Sequence, residues 1–153
     1  MRISAKVDYA VRAAIELAVA ADDDHLTKAE AIARAQEIPP KFLENILGDL
    51  RQGGLVRSQR GAEGGYRLAR PAAEITLADI IRVVEGPMAS VRGGPPEDVR
   101  YDGSAEPLQR VWIAVRSALR MVAEHVTLAD LASGKLPKQV EQLTADPDAW
   151  LTH

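Results

Sequence analysis

Apolar positions over the first twenty residues recur at helical spacing. Val7, Val11, Ala14, Ile15 and Ala18 form one stripe, while Asp8, Arg12 and Glu16 lie outside it at i, i+4. This pattern predicts a helix over about 5–21, capped by Ser4 and ended by the acidic residues 22–24. Thr27 and Glu30 have capping-box spacing, which predicts a short second helix to about Gln36, with Ala29, Ile32 and Ala33 inward. Ile38, Pro39 and Pro40 make the turn, because proline ends one helix and suits the first position of the next. A third helix is expected over 40–52, stopped by Gly53 and Gly54. Its predicted buried stripe is Phe42, Leu43, Ile46, Leu47 and Leu50, which leaves Lys41, Glu44, Asn45, Gly48 and Gln52 facing outward.

The period then changes from helical to two. Residues 55–58 and 66–69 alternate as half-buried strands do, and Gly61, Gly64 and Gly65 between them predict a hairpin tip with positive φ angles. Helix, turn, helix and basic hairpin in this order predict a winged helix-turn-helix. Thr76 with Asp79 forms another capping box, for a helix to about Glu85 ended by Gly86 and Pro87. Residues 87–105, rich in glycine and proline, read as a long loop. A long helix over about 105–124 follows, with Leu108, Val111, Val115, Ala118 and Val122 at spacings of three and four and Trp112 and Leu119 on the flank. That is a coiled-coil-like seam. Thr127 with Asp130 caps a last short helix.

The fold class is therefore mainly α with a small β-wing, a winged helix-turn-helix, plus a long C-terminal dimerisation helix. The expected division is 1–86 for the winged unit, 87–105 for the loop, 106–136 for the dimerisation helix and its short capping helix, and 137–153 for a loosely held tail. The seam needs a cover, and a second copy of the chain supplies one through Leu108, Val111, Trp112, Val115, Leu119 and Val122.

Composition narrows the function classes. Hydrophobic residues make up 46% of the chain, enough for a packed core. No apolar run approaches the roughly 18 residues of a membrane span. Asp8, Arg12 and Glu16 also interrupt what would otherwise resemble a signal peptide, so a cytoplasmic protein is expected. The absence of cysteine removes disulfides, thiolate metal sites and cysteine nucleophiles. His25, His125 and His153 are scattered, and no metal site is expected from them. An enzyme is not expected either. No nucleophile–base pairing is evident, and the glycines of residues 60–66 lead into a strand, whereas a phosphate loop opens a helix.

The net charge of −3 is unevenly spread. Residues 51–70 hold Arg51, Arg57, Arg60, Arg67 and Arg70 against Glu63 alone, a local excess of +4. An acidic protein with one basic edge suits double-stranded DNA as a partner. On the outward face of the third helix, Asn45 can pair with adenine, Glu44 can accept from cytosine, and Lys41 can reach guanine or phosphate. Gly48 costs helix stability and suggests a close approach. Arg60 is placed to enter a minor groove or grip phosphate. The competing reading is a winged helix that binds protein without reading DNA sequence.

Four blocks in this order carry a resemblance: MRISAKVDYAVRA, IPPKFLENIL leading to LRQGGLV, RGAEGGYRLARP, and ITLADIIRVVEGP. Over about residues 1–136 the chain resembles the Rrf-type family of bacterial winged-helix transcriptional regulators, the IscR-, NsrR- and CymR-like proteins. The resemblance implies a homodimeric DNA-binding regulator, expected to act as a repressor on a palindromic operator. It places base reading on Pro40, Lys41, Phe42, Glu44 and Asn45 and the wing arginine on Arg60. Backbone contacts fall on Arg2, Ser4 and Lys6, and the basic segment adds Arg51, Arg57, Gly61 and Gly64. Iron–sulfur members carry three cysteines in the loop equivalent to 87–105, and this chain has none. Asp8 matches a position that supplies an oxygen ligand in some members, but one carboxylate cannot hold a cluster. The chain therefore resembles a cysteine-free branch with no cofactor, tuned by a small-molecule effector or a metabolic enzyme. Met88, Arg92, Tyr101 and Trp112 are the candidates to line an effector pocket, since aromatics and methionine suit such sites.

Overall fold

The computed structural model describes residues 2–23 and 25–152 of the chain; Met1, Asp24 and His153 lie outside them. Helix α1 spans Ala5–Val19, and the Ser4 hydroxyl accepts from the Val7 amide at 3.1 Å, as an N-cap should. A 3₁₀ turn, Ala20–Asp23, finishes it. The buried face is Val7, Ala10, Ala13, Ala14, Leu17 and Ala18, with Val11 and Ile15 half-buried at its edge. Small residues at its centre let other helices approach closely, and α1 becomes the hub of the core.

Helix α2 covers Ala29–Gln36 and α3 covers Pro40–Gln52. The turn between them relies on Glu37, which takes a left-handed conformation (φ 51°) and donates its amide to the Ala33 carbonyl. The expected capping box at Thr27 does not form. Lys28 occupies the cap position without a side-chain bond, and Thr27 pairs through its backbone with Tyr66, both hydrogen bonds being 2.8 Å. Thr27 thus adds a one-residue third strand to the wing.

The wing is the antiparallel pair β1 (Val56–Gln59) and β2 (Gly65–Leu68), in register Val56↔Leu68 through Gln59↔Gly65. Of the tip glycines, Gly61 and Gly65 have the expected positive φ, at 107° and 158°. Gly64 is needed for space instead: a Cβ there would lie 2.2 Å from the Gln59 carbonyl oxygen. At Gly65 a Cβ would lie 2.7 Å from the Thr27 oxygen, so glycine is what admits the third strand.

Helix α4 (Leu77–Glu85) and helix α6 (Leu128–Ser133) start with complete capping boxes, at Thr76/Asp79 and Thr127/Asp130. In both, the side chain and backbone exchange hydrogen bonds of 2.8–3.1 Å. The short helix α6, grouped with the long helix by the sequence reading, packs on α1, and Leu128 is fully buried in the common core. Backbone bonds from Leu77 to Val126 and from Leu128 to Ile75, each 2.9 Å, join the two capping segments.

Between α4 and α6, helix α5 (Leu108–Ala123) lies largely clear of this core, and Ala123 is its one buried residue. Beyond Pro137, where a loose tail was expected, the chain forms helix α7 (Lys138–Thr144) and a 3₁₀ turn, Pro147–Trp150. The Trp150 indole N–H bonds the Thr144 carbonyl at 2.8 Å. Among the described residues no helix is long and apolar enough to cross a membrane.

Candidate nucleic-acid interface

Helix α3 buries Leu43, Ile46, Leu47 and Leu50, and turns Lys41, Glu44, Asn45 and Gln52 outward, as expected. Phe42 is the exception. It was expected in the buried stripe, but its side chain is 58% exposed. At 100° per residue it lies a full step from Leu43, outside the arc centred on the four buried residues. Its ring meets that of Tyr9 edge to face, with centroids 6.4 Å apart. The Arg12 guanidinium sits 4.9 Å over the Tyr9 ring. Arg12 also donates to the Gln36 carbonyl at 2.7 Å and pairs with Asp8 at 2.9 Å, tying α1 to the helix-turn-helix.

The outward face of α3 and the start of α1 enclose an open groove of about 520 Å³, lined by Lys6, Phe42, Glu44, Asn45, Gly48, Asp49 and Gln52. Lys6 and Asp49 form a 2.7 Å ion pair across it. Both are well exposed, so the pair is worth little and Lys6 is easily drawn off by another anion. Gly48 has no atom within 4 Å of where a Cβ would stand, so no neighbour within the chain requires glycine there.

The basic segment follows α3 directly in the chain, and β1 packs on that helix. Arg51 donates to the Ser58 hydroxyl at 3.2 Å, and Arg51, Arg57 and Arg70 line a second open depression of about 510 Å³. Arg57 stands directly opposite Arg67 across the two strands. Arg70 leans toward Asp79 at 3.8 Å. Arg60 is exposed at the tip beside Gly61. Among the described residues no hydrogen bond or ion pair holds Arg2, Lys41, Arg57 or Arg60, so their charges are available to a ligand. Pro40 opens the first turn of α3, and Ser4 caps α1.

Three residues of this region escaped the sequence reading. Asp49 is matched by Lys6 on another helix, and Tyr9 and Arg12 act across α1, so no local spacing announces them.

The candidate effector residues are partly assembled. The Trp112 indole N–H donates to the Tyr101 hydroxyl at 3.0 Å, and Arg92 lies 5.7 Å over the Tyr101 ring. Arg92 holds a positive φ in a tight turn closed by two backbone bonds between Val91 and Gly94. Among the described residues no hydrogen bond or ring contact joins Met88 to them. The loop is pinned to α5 by the 2.5 Å ion pair between Glu97 and Arg116. Hydrogen bonding from its own backbone amide, then from Arg116, holds the Glu97 carboxyl below its ordinary 4.5.

Comparison with known proteins agrees with this geometry. The Rrf2 family, described as iron-dependent transcriptional regulators, matches residues 3–134. CymR of Bacillus subtilis, an HTH-type transcriptional regulator, is 40% identical, covering 87% of this chain and 91% of its own. Rv1287 of Mycobacterium tuberculosis, provisionally assigned as an HTH-type regulator, is 51% identical over 95% of this chain and 90% of its own. Among solved structures, CymR, the global cysteine regulator of B. subtilis, superposes with a TM-score of 0.74 at 39% identity, covering 88% of this chain and 98% of its own. IscR of T. potens superposes with a TM-score of 0.70 at 31% identity, covering 100% of this chain and 93% of that one. These relatives are regulators of transcription and not enzymes. The iron dependence in the family description meets a donor set that does not fit a thiolate-held cluster. The chain has no cysteine, and among the described residues no three of His, Asp and Glu converge. Asp8 is engaged by Arg12.

Proposed function

This chain belongs to the Rrf2 family of DNA-binding transcriptional regulators, and from that premise we propose that it is a cytoplasmic, homodimeric repressor of a palindromic operator. In this reading α3 enters the major groove and presents Lys41, Phe42, Glu44 and Asn45 to base edges. Arg2, Ser4, Lys6 and Pro40 fix the start of α1 and α3 on the phosphates. Arg51, Arg57 and Arg60, with the close turn at Gly61 and Gly64, carry the wing along the backbone or into the minor groove. The observation that carries the proposal is the open α3 groove lined by Lys6, Phe42 and Asn45, followed in the chain by a wing whose Arg57 and Arg60 are held by no hydrogen bond or ion pair among the described residues.

Dimerisation is assigned to α5. Val111, Ile113 and Met121 are exposed along it, and Leu108, Trp112, Val115, Leu119 and Val122 are only half-buried. An apolar helix left this open is covered most economically by its own copy. Two copies would then present two reading helices to an inverted repeat. Repression needs only occupancy of a promoter, which favours it over activation.

Control by an iron–sulfur cluster does not suit this donor set, so the signal is assigned to a small molecule or a partner protein such as a metabolic enzyme. Arg92, Tyr101 and Trp112 are the residues proposed to receive it, at the junction of the 87–105 loop with α5.

Selection of duplexes from a random DNA pool by the full-length protein tests this function, with Arg60→Ala as control. Enrichment of an inverted repeat that the variant fails to recover is expected. If no sequence is enriched, the DNA-reading proposal fails and a protein-binding winged helix takes its place.

A further inference from the structure

Phe42 is the chain's one phenylalanine, and the fold spends it on the surface at the third position of α3. A single exposed apolar side chain is unremarkable by itself. This one is held. Tyr9 braces its ring edge to face, Arg12 covers Tyr9, and Arg12 is fixed in turn by Gln36 and Asp8. The supports come from α1 and from the C-terminal end of α2, so the ring keeps its place relative to the whole helix-turn-helix.

The surroundings specify what such a ring would meet. Phe42 lines the α3 groove together with Asn45, three residues on. At that spacing Cβ atoms stand about 5–6 Å apart, one to two base-pair steps of about 3.4 Å. A carboxamide and an apolar ring at that interval suit an A·T-containing step: the amide pairs with adenine, and the ring packs against the one apolar group in the major groove, the C5-methyl of thymine.

We propose that Phe42 reads a thymine methyl in each half of the operator and that Tyr9 is the positioning residue that holds it there. This rests on the DNA-reading function proposed above. Phe42 then determines specificity through the methyl group alone, with no hydrogen bond to the base.

The test uses the duplex recovered by the full-length protein from the random pool. Each thymine is replaced in turn by deoxyuridine, which removes only the methyl group. Wild-type protein is expected to lose affinity about fourfold at one position in each half-site, the fold-change for about 0.8 kcal/mol per buried methyl-sized group. In Phe42→Ala the thymine-to-deoxyuridine ratio at that position falls to one. Tyr9→Ala also lowers the ratio, and Tyr9→Phe, which keeps the ring, restores it; a purely structural Tyr9 would change both affinities equally. A flat ratio at every thymine in the wild type, or a ratio unchanged in Phe42→Ala, overturns the inference while leaving the regulator reading intact. Failure to recover any preferred duplex defeats the DNA reading itself, and the methyl contact with it.

Discussion

Replacing Gly48 by alanine should move stability and DNA affinity in opposite directions. Gly48 lies inside α3 with a negative φ and nothing within 4 Å of its missing Cβ. The new methyl therefore costs no strain and gains no packing, so only backbone entropy changes. Alanine is favoured over glycine in a helix interior by about 0.8–1.0 kcal/mol. For a chain of 153 residues that corresponds to a rise in Tm of about 2–4 °C. The same methyl projects into the groove shared by Phe42, Asn45 and Asp49, where a base or phosphate would approach. Crowding a well-fitted contact costs about 1–3 kcal/mol, a loss of roughly 5- to 150-fold in affinity. Differential scanning calorimetry and fluorescence-anisotropy titration of the selected duplex measure the two effects. A raised Tm with unchanged affinity would refute close approach at Gly48, and a lowered Tm would refute the open space around it.

Three further outcomes follow from the same geometry. Arg60→Ala should weaken binding to every duplex and reduce the slope of log K against log salt by about 0.9 for each phosphate that the arginine no longer neutralises; an unchanged slope would remove the wing tip from the interface. Asn45→Ala should cost about 1–3 kcal/mol at particular bases only, and a uniform loss across a panel of operator variants would show its amide to be structural. Hydrogen bonding first from Arg120 and then from Arg82 holds the Glu124 carboxyl below its ordinary 4.5. Its contribution is therefore complete above 4.5 and is lost as pH falls through the lowered folded value. Thermal melts of wild type and Glu124→Gln should converge as pH is taken down through that range, and a constant difference would contradict the ion pair by which Arg82 of α4 holds Glu124 at the C-cap of α5.

Most of the helical framework is legible locally. Capping boxes at Thr76 and Thr127 declare themselves because donor and acceptor sit three residues apart in one segment. The same spacing misleads at Thr27, where a strand 39 positions away in the sequence offers the backbone two 2.8 Å bonds and takes the residue out of the cap. Stripe spacing identifies Leu43, Ile46, Leu47 and Leu50 but cannot decide the edge of the buried arc, and Phe42 falls just beyond it. The Lys6–Asp49 pair and the Phe42–Tyr9–Arg12 brace join helices that only the fold brings together. Helix α7 was missed because Val140 and Leu143 alone carry a helical period across its seven residues, too short a pattern to stand out between Pro137 and Pro147.

The return of the chain from α5 onto α1 has a consequence for how a signal could reach DNA. Leu128 fills space that the first 86 residues leave open, and the backbone bonds at Ile75 and Leu77 need residues 126 and 128 as partners. Emptying a buried leucine site costs about 2–5 kcal/mol, a large share of a small domain's stability. The winged unit is therefore completed by α6, and the two are expected to melt in one transition. A molecule that binds only the folded α5–α6 segment would then stabilise the winged unit as well, by mass action on one shared unfolding equilibrium.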